Sequence, residues 1–523
     1  MTTGNAKTTA LKVVFIALAG ICIALPMAAW PLNRDEGIFA VCADAILRGE
    51  KLYDNAFDFK GPGVHYLYAL AFATFGRSMQ SPRILDLAGT ILAAWLLYRC
   101  GLRIGNRRGA FAGAAFYFVW YVSSGWLMTG QAEGFAAPLT AAGLLCSLRL
   151  LESHTAGRAA LAGLLTVLAF WFKPPFALLG LVPAAGLIAQ SAANQQERKK
   201  LAASLIWLIA GGILGLVIPA IILSARDELD GFWEAVIVFN LRDYRNIAYP
   251  RSLRHLLRLS SPFDWTAFFS QTILALVAAH AGWGGRERPG LICAIAGLVV
   301  ALFCCMMQGK FFAYQWVMTM PFVCVLAGQG VSTVLSGHSS RPGFAGRPAA
   351  ALGLAVFIFG GWEAAARLAS ELEWRFRDSS NVSRFMISDG SSIPTVSRVA
   401  EYVRAHTRTD DAILVWGFDP LIYFLSERRP CSRFCYIHPF LPPGNEEIIH
   451  KYQAQFMEQL RRNPPAVILV ADADQTIVQP FTSLEAMPQF QEFRDFVASR
   501  FSFTMRIDNY YVYSRASGPW SGQ

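Results

Sequence analysis

The chain has 523 residues, of which 54% are hydrophobic and only 16% are charged, and its mean hydropathy is +0.37. A soluble globular domain carries about 25% charged residues, so this composition excludes an ordinary soluble enzyme and indicates a polytopic membrane protein. The formal net charge of +10 is explained largely by basic loops on one side of the predicted spans, and we do not interpret it as nucleic-acid binding.

Apolar segments recur from the N-terminus to about residue 367. A helix needs roughly 17–25 apolar residues to cross the hydrocarbon core of a bilayer. The segments therefore predict about eleven transmembrane helices, at 11–31, 84–98, 109–125, 133–151, 159–173, 175–191, 201–224, 263–283, 289–307, 315–336 and 349–367. The first resembles a signal peptide, but no convincing small-residue cleavage site follows it, so we expect a retained anchor.

The short loops between these segments alternate in charge. Four of them are basic: "YRCGLRIGNRRG", "QQERKK", "GGRERPG" and "SGHSSRPGFAGRP". Loops rich in Lys and Arg stay in the cytoplasm, which predicts a cytoplasmic N-terminus in a multi-pass inner (plasma) membrane protein. Residues 32–83, 226–262 and everything after 367 would then lie outside, in the periplasm of a Gram-negative host.

The first outer loop, 32–83, begins with "LNRDEGIF" and has predicted structure of its own. Apolar residues at helical spacing predict an amphipathic helix over 37–48 lying along the membrane interface. A second such segment, "GPGVHYLYALAFATFG", follows after "YDNAFDFK". We expect both to hold the charged side chains of this loop at the depth of the lipid headgroups.

After residue 367 the pattern becomes that of a small α/β domain. Helical periodicity is found in three segments, VSRVAEYVRAHT, EEIIHKYQAQFMEQLRR and SLEAMPQFQEFRDFVASR. The pattern of a buried strand is found in DAILVWG and PAVILVAD, and the final segment resembles a hairpin, FSFTMRIDNYYVYSR. Asp419 is predicted to cap a further short helix, "PLIYFLS". The predicted fold is an α-helical polytopic membrane domain, 1–367, a linker, 368–392, and an extracytoplasmic α/β domain, 393–523.

Most of the cysteines lie in apolar spans, and Cys431 and Cys435, in the C-terminal region, are the exception. On the outer face they could stay free or form a disulfide, and with His438 they make a weak zinc pattern. Two sulfurs and one imidazole are too few for a clear ligand set, so the sequence predicts no essential metal.

The arrangement suits an enzyme that takes a sugar from a membrane lipid through its phosphate. The lipid phosphate is a good leaving group, so no general acid is needed. The acceptor hydroxyl is a poor nucleophile and needs one carboxylate as general base. Cations must stabilise the charge that develops on the phosphate. This requirement differs from the two carboxylates of glycosidases.

The predicted outer ends of the spans and the outer loop supply these groups. The acids are Asp35, Glu36, Asp58 and Glu133, and the other candidates are Lys60, Arg83, Lys173, Lys310 and Tyr314. Five of them have a structural alternative that the sequence leaves open: snorkelling for Lys173 and Lys310, pairing of Arg83 with Asp86, a helix-dipole position for Glu133 and an interfacial aromatic position for Tyr314.

The segment "NRDEGIFAVCADAILRGEKLYDNAFDFKGPGVHYLYALAFATFG" resembles the first outer loop of the GT-C glycosyltransferases. It is most similar to the bacterial branch that includes the protein O-mannosyltransferases, the aminoarabinose transferases and the rhizobial galacturonosyltransferases. The family carries an acidic pair after the first span and an Asp-x-Lys-Pro-Pro-like element. Here these are Asp35-Glu36 and Asp58-Phe59-Lys60-Gly61-Pro62, where Gly61 replaces the usual first proline.

The resemblance implies an inverting transferase that uses a polyprenyl-phosphate sugar and a cell-envelope acceptor such as lipopolysaccharide, another glycan or a protein. It implies that Asp35 is the catalytic carboxylate, supported by Glu36. Lys60, Lys310 and Tyr314 would lie near the donor phosphate, with Lys173 and Arg83 as further cations, and Glu133 would match a second acidic position. Metal use varies in the family, so the expectation of no cofactor follows only from the missing ligand set.

Two other classes of protein remain as competing interpretations. A transporter or flippase of a lipid-linked glycan would also have many spans, but transporters usually show paired halves with interrupted helices, and we find no internal repeat. A receptor or assembly factor would give no reason for the acidic motif in the outer loop. The transferase is the favoured interpretation.

Overall fold

The computed structural model describes residues 27–193, 195–244, 263–283, 287–336, 392–441, 444–475 and 481–515, with isolated positions at 20, 252, 254, 260 and 285. These residues belong to two compact units. The helical unit combines Met1–Trp30, Ser78–Pro219 and Leu253–Ser379, and the α/β unit combines Pro31–Arg77, Ala220–Ser252 and Ser380–Gln523. The predicted span 349–367, most of 11–31 and the linker up to 391 lie outside the described residues, so the domain boundaries predicted at 367 and 392 stay a prediction.

The helices follow one another closely along the chain. In order, they are α1 (Arg34–Leu47), α2 (Pro62–Phe75), α3 (Gln80–Ile104), α4 (Arg107–Ser123), α5 (Ala132–Glu152), α6 (Ala156–Val167), α7 (Leu181–Ala193), α8 (Gln195–Ala225), α9 (Leu229–Phe232) and α10 (Phe239–Arg242). They continue with α11 (Trp265–Gly282), α12 (Arg288–Gln308), α13 (Met320–Ser336), α14 (Ile393–His406), α15 (Leu421–Ser426), α16 (Glu446–Arg462), α17 (Ser483–Ala486) and α18 (Gln491–Arg500). Short 3-10 segments occur at Leu168–Trp171, Pro174–Gly180, Ala313–Thr319, His438–Phe440 and Met487–Gln489, and a π-helical turn at Trp233–Val238.

The helical unit confirms the predicted membrane fold. Among the described residues, six segments are long and apolar enough to cross a bilayer: Gln80–Ile104, Ala132–Glu152, Pro174–Ala192, Gln196–Ala225, Arg288–Gln308 and Ala313–Leu335. The predicted span 84–98 is longer than expected, because the helix continues through charged residues at both ends. A shorter apolar helix covers Ala156–Trp171.

Small residues allow the closest helix contacts in this unit. A methyl group at Gly211 of α8 would lie 1.8 Å from the Ala160 carbonyl oxygen of α6, and one at Gly328 of α13 would lie 2.2 Å from the Gly109 oxygen of α4. Helices in a bilayer associate through packing of this kind, because apolar lipid supplies little hydrophobic driving force.

The α/β unit is built on a five-stranded sheet with the order β2-β1-β3-β5-β4. The strands are β1 (Ala412–Trp416), β2 (Arg429–Pro430), β3 (Val467–Ala471), β4 (Phe501–Ile507) and β5 (Tyr510–Arg515). β1 pairs in parallel with β2 and β3, whereas β5 is antiparallel to β3 and β4. The small C-terminal α/β fold and its terminal hairpin are therefore confirmed.

The outer-loop helices pack inside this unit. α1 contacts both α2 and α15, and a methyl group at Gly37 would lie 2.8 Å from the backbone nitrogen of Leu421. Ten of the fourteen residues of α1 are buried. The helix is thus covered on most of its surface, instead of presenting the polar face expected of an amphipathic helix.

Two local predictions in the C-terminal region are wrong. Asp419 does not cap α15: the N-cap is Pro420, and the Asp419 carboxylate is engaged elsewhere, as described below. The helix predicted over SLEAMPQFQEFRDFVASR is divided into α17, a 3-10 turn and α18. Pro488 lies in that turn, and proline cannot donate the hydrogen bond that a continuous helix requires.

Candidate active site

The acidic pair of the outer loop lies at the start of α1, where Asn33 and Glu36 form a capping box. The Asn33 side chain accepts from the Glu36 amide at 3.1 Å, and the Asn33 amide donates to Glu36 Oε2 at 2.7 Å. The other carboxylate oxygen, Oε1, accepts from the Tyr68 hydroxyl at 3.1 Å. Glu36 is fully buried. Its carboxylate therefore fixes the start of the helix.

Asp35 has a different environment from its neighbour. Its Oδ2 lies 2.8 Å from Lys60 Nζ, and its side chain is 23% exposed. The side chains of Glu36 and Asp58 are fully buried. Of these three acids, Asp35 is thus the one that a substrate can reach. The Lys60 ammonium also lies over the Phe39 ring, 4.4 Å from its centre.

Asp58 and His65 clamp the turn that carries Lys60. Asp58 Oδ1 accepts from the Phe59 amide at 2.8 Å, and Oδ2 lies 2.9 Å from His65 Nε2. His65 Nδ1 is 3.1 Å from the Gly61 carbonyl oxygen. The backbone at Gly61 is extended and leads into Pro62, the first residue of α2. The departure from the family proline at Gly61 thus leaves a well-defined turn.

The residue before Asp35 is tied to the C-terminal part of the same unit. Arg34 Nε lies 2.9 Å from Asp419 Oδ1, with both side chains buried. The Tyr510 hydroxyl donates to the other oxygen of Asp419. We did not predict this contact or the role of His65. A buried histidine on the apolar helix α2 is itself a signal, because buried polar groups need partners.

The helical unit contains a second cluster, which brings three predicted residues together. Lys173 Nζ lies 2.5 Å from Glu133 Oε1 and 2.9 Å from Gln308 Oε1. The ammonium is 5.2 Å from the centre of the Tyr314 ring. Glu133 is buried in the first turn of α5, and its Oε2 has no hydrogen-bond partner among the described residues.

Local backbone geometry positions the two lysines of the helical unit. Lys173 is extended, as expected for a residue that precedes a proline, and it begins the 3-10 segment at Pro174–Gly180. Lys310 is 2% exposed and stands between Gly309 and Phe311, with φ values of 64° and 57°. A positive φ at a bulky residue such as Phe311 is strained, and such strain is concentrated at functional sites.

Arg83 and Asp86 lie near the start of α3, and both are buried. Arg83 Nη1 donates to the Thr129 hydroxyl at 2.9 Å. Asp86 accepts from the Tyr121 hydroxyl at 3.0 Å and from the Gly130 amide at 2.8 Å. Both residues therefore hold the segment that precedes α5 close to α3.

The cysteines of the α/β unit do not form a disulfide. Cys431 and Cys435 are free and buried, and burial raises the pKa of both thiols. Burial, reinforced by the Arg34 guanidinium, lowers the pKa of His438 to about 4. In the part of the chain that the structure describes, no group of three or more His, Cys, Asp or Glu could hold a metal ion, and independence from metals stays a prediction.

Comparison with solved structures places this arrangement among known folds. ArnT from Cupriavidus metallidurans, bound to undecaprenyl phosphate, matches 98% of this chain and 99% of its own, with a TM-score of 0.59 and 13% identity. The chain has the GT-C fold. Archaeoglobus fulgidus AglB, an oligosaccharyltransferase in complex with an inhibitory peptide and a dolichol-phosphate, matches 99% of this chain and 75% of its own, with a TM-score of 0.54 and 11% identity.

Sequence comparison agrees with the GT-C assignment. Residues 59–223 match the family model of the dolichyl-phosphate-mannose-protein mannosyltransferases. No curated protein is similar enough in sequence to be matched. The resemblance to the GT-C glycosyltransferases predicted from the outer loop is confirmed, and the matched segment begins inside that loop, next to Lys60.

Proposed function

We propose that this GT-C protein is an inverting glycosyltransferase that moves a sugar from a polyprenyl-phosphate donor to a cell-envelope acceptor. The reaction would take place on the outer face of the inner membrane. ArnT with undecaprenyl phosphate and AglB with a dolichol-phosphate share the fold, which supports a lipid-phosphate donor here. The acceptor would be a lipopolysaccharide, another glycan or a protein.

The observation that carries this proposal is the accessibility of Asp35. A general base must reach the hydroxyl whose proton it takes. Glu36 and Asp58 are buried and hydrogen-bonded within the protein, whereas the Asp35 carboxylate is partly exposed beside Lys60. Two carboxylates thus hold the loop, and a third remains available for chemistry.

The bonds change as follows. An acceptor hydroxyl oxygen attacks the anomeric carbon of the donor and forms the new glycosidic bond, while Asp35 takes the hydroxyl proton. The bond between the anomeric carbon and the phosphate oxygen breaks, and its electron pair leaves with the polyprenyl phosphate. Attack opposite to the leaving group inverts the anomeric centre. Lys60, beside Asp35, stabilises the negative charge on the leaving phosphate.

The helical unit contributes its own binding residues to the proposal. Lys310 and Tyr314 would contact the donor phosphate, and Arg83 would support the segment that carries Thr129. Lys173 would be a further cation for the donor phosphate, and its ion pair with Glu133 holds it in place.

The test is mass spectrometry of envelope glycolipids and glycans from a strain that lacks this protein. The strain is complemented with the wild type, with Asp35→Asn or with Glu50→Gln. Glu50 is a matched control: its side chain is 26% exposed and pairs with Arg48 at 2.8 Å. Equal amounts of each variant in the membrane are verified by immunoblotting.

We expect one sugar to disappear in the deletion strain and to return with the wild type and with Glu50→Gln. Loss of a general base lowers the rate about 10²–10⁴-fold, so Asp35→Asn should not restore the sugar. Restoration by Asp35→Asn would rule out Asp35 as the base and favour the flippase interpretation. An unchanged glycan profile in the deletion strain would rule out the proposed transfer to the envelope.

A further inference from the structure

We infer that the helical unit carries a binding site for the headgroup of an anionic phospholipid, at the ends of α3 and α5 away from Arg83 and Glu133. A cavity of about 290 Å³ opens there. It is lined by Arg103, Cys146, Arg149, Glu152, Arg158 and Leu161. The reaction proposed above does not use any of these residues.

The cavity lies at the end of two apolar spans. Arg83 and Arg103 lie near opposite ends of α3, and at 1.5 Å per residue they are about 30 Å apart along the helix. That length matches the hydrocarbon thickness of a bilayer. Arg103 and Arg149 are in the last turns of α3 and α5. The cavity is thus at headgroup depth on one membrane face.

The charge of the lining favours an anion. Three arginines against one glutamate leave a net charge of +2. Arg103 Nε is 3.0 Å from Glu152 Oε1, and Arg103 Nη1 donates to the Arg99 carbonyl oxygen at 3.2 Å. These contacts hold the guanidinium at the cavity and leave its Nη2 for a phosphate oxygen. Guanidinium groups suit phosphate oxygens because they present several donors in one plane.

The position of Arg158 also favours an anion in this cavity. It is the third residue of α6, within the first turn, where the helix dipole disfavours a cation. Its Nη1 donates to the Arg149 carbonyl oxygen at 2.9 Å, which holds the guanidinium at the cavity. No heavy atom lies within 4 Å of a methyl group built at Gly157 in the same turn. An anion at this helix start would offset both the dipole and the arginine charge.

Because the cavity lies at headgroup depth, the phosphate that it binds belongs to a lipid. Leu161, which lines the cavity, is 47% exposed and supplies an apolar edge for an acyl chain. Basic pockets between transmembrane helices are typical headgroup sites. The occupant would be an anionic phospholipid such as phosphatidylglycerol, with its phosphate between Arg103 and Arg158.

The test measures binding of short-chain phosphatidylglycerol and phosphatidylcholine to the full chain in detergent. The variant is Arg103→Gln/Arg158→Gln. The matched control is Arg107→Gln/Arg108→Gln, which removes the same charge from exposed residues at the start of α4. Inorganic phosphate and glycerol 3-phosphate are added as competitors, at the concentration of the lipid, to distinguish a free phosphate from a lipid.

We expect the wild type to prefer phosphatidylglycerol and the cavity variant to bind it about 25-fold more weakly, since each of the two basic residues is worth about fivefold near a membrane. The control should change binding by less than about threefold. Equal affinity for phosphatidylcholine, equal losses in both variants, or displacement by the soluble phosphates would overturn the inference. Arg158→Gln alone leaves the Arg103–Glu152 contact intact, and a loss of about fivefold is expected. If the double variant does not fold, unchanged binding by this single variant overturns the inference.

Discussion

Arg34 and Asp419 form a buried ion pair across 385 residues of sequence. Arg34 directly precedes the candidate base, and Asp419 directly precedes Pro420, the N-cap of α15. The Tyr510 hydroxyl donates to the same carboxylate, and the Phe418 ring lies 5.5 Å from the guanidinium carbon. The C-terminal part of the chain therefore fixes the residue next to Asp35.

Breaking this pair should destabilise the α/β unit strongly. Asp419→Ala leaves a guanidinium buried without its carboxylate, which costs about 3–5 kcal/mol. Thermal unfolding of the purified chain measures the change. Arg398→Gln is the control: its ion pair with Asp508 is exposed, so a change below about 1 kcal/mol is expected. Equal effects of the two substitutions would show that the buried pair has no special role.

The Glu133–Lys173 pair should behave as a coupled unit. Either Glu133→Gln or Lys173→Gln leaves one buried charge without its partner, and we expect each to lower the thermal midpoint by several degrees. The double variant Glu133→Gln/Lys173→Gln removes both charges and should lose less than the sum of the single losses. Additive losses in a double-mutant cycle would contradict direct coupling.

His438 should make the α/β unit less stable in acid. Because burial and then Arg34 lower the pKa of His438 to about 4, the unfolded chain binds a proton between pH 6.5 and 4 that the folded chain does not bind. The stability that depends on a neutral His438 is fully present above pH 6.5 and is lost as the pH falls to about 4. The loss is about 3 kcal/mol at most.

The substitution His438→Gln tests this dependence. We expect the variant to lose less stability than the wild type between pH 6.5 and 4, measured as the thermal midpoint at each pH. Asp35 also faces His438 and raises its pKa, so Asp35→Asn should steepen the acid dependence slightly. Parallel pH curves for the wild type and His438→Gln would assign the acid sensitivity to other groups.

Gly37 should tolerate no side chain. A methyl group there would lie 2.8 Å from the Leu421 backbone nitrogen, so Gly37→Ala must move α1 away from α15, at a cost of about 1–3 kcal/mol. The proposed transferase activity should fall as well, because Asp35 is in the first turn of α1. Gly157→Ala is the control, since it has open space and the helix propensity of alanine is higher by about 1 kcal/mol. A stable Gly37→Ala protein would refute the close packing.

Local sequence patterns determined a large part of this fold. Runs of apolar residues identified the membrane helices, since burying backbone polar groups in lipid requires a helix. Alternation of helix and strand signals likewise identified the C-terminal α/β region, and the helix from Glu446 to Arg462 has the predicted bounds. The single helix predicted across Pro488 was wrong, because the apolar periodicity of the sequence continues through the position where the helix is interrupted.

The environment of each candidate site residue is set by tertiary packing and could not be predicted from local sequence patterns. The sequence determined which acids stand in the outer loop, and the family resemblance favoured Asp35, but local patterns gave no information on how far Asp35, Glu36 and Asp58 are buried. Burial and hydrogen bonds from Tyr68 and His65 separated them, and left Asp35 accessible beside Lys60. The partner of Arg34 likewise had no local signal, because ion pairs across hundreds of residues follow from chain packing and not from periodicity. The sequence thus determined the kind of protein and its candidate acids, and tertiary packing decided which of these acids is accessible.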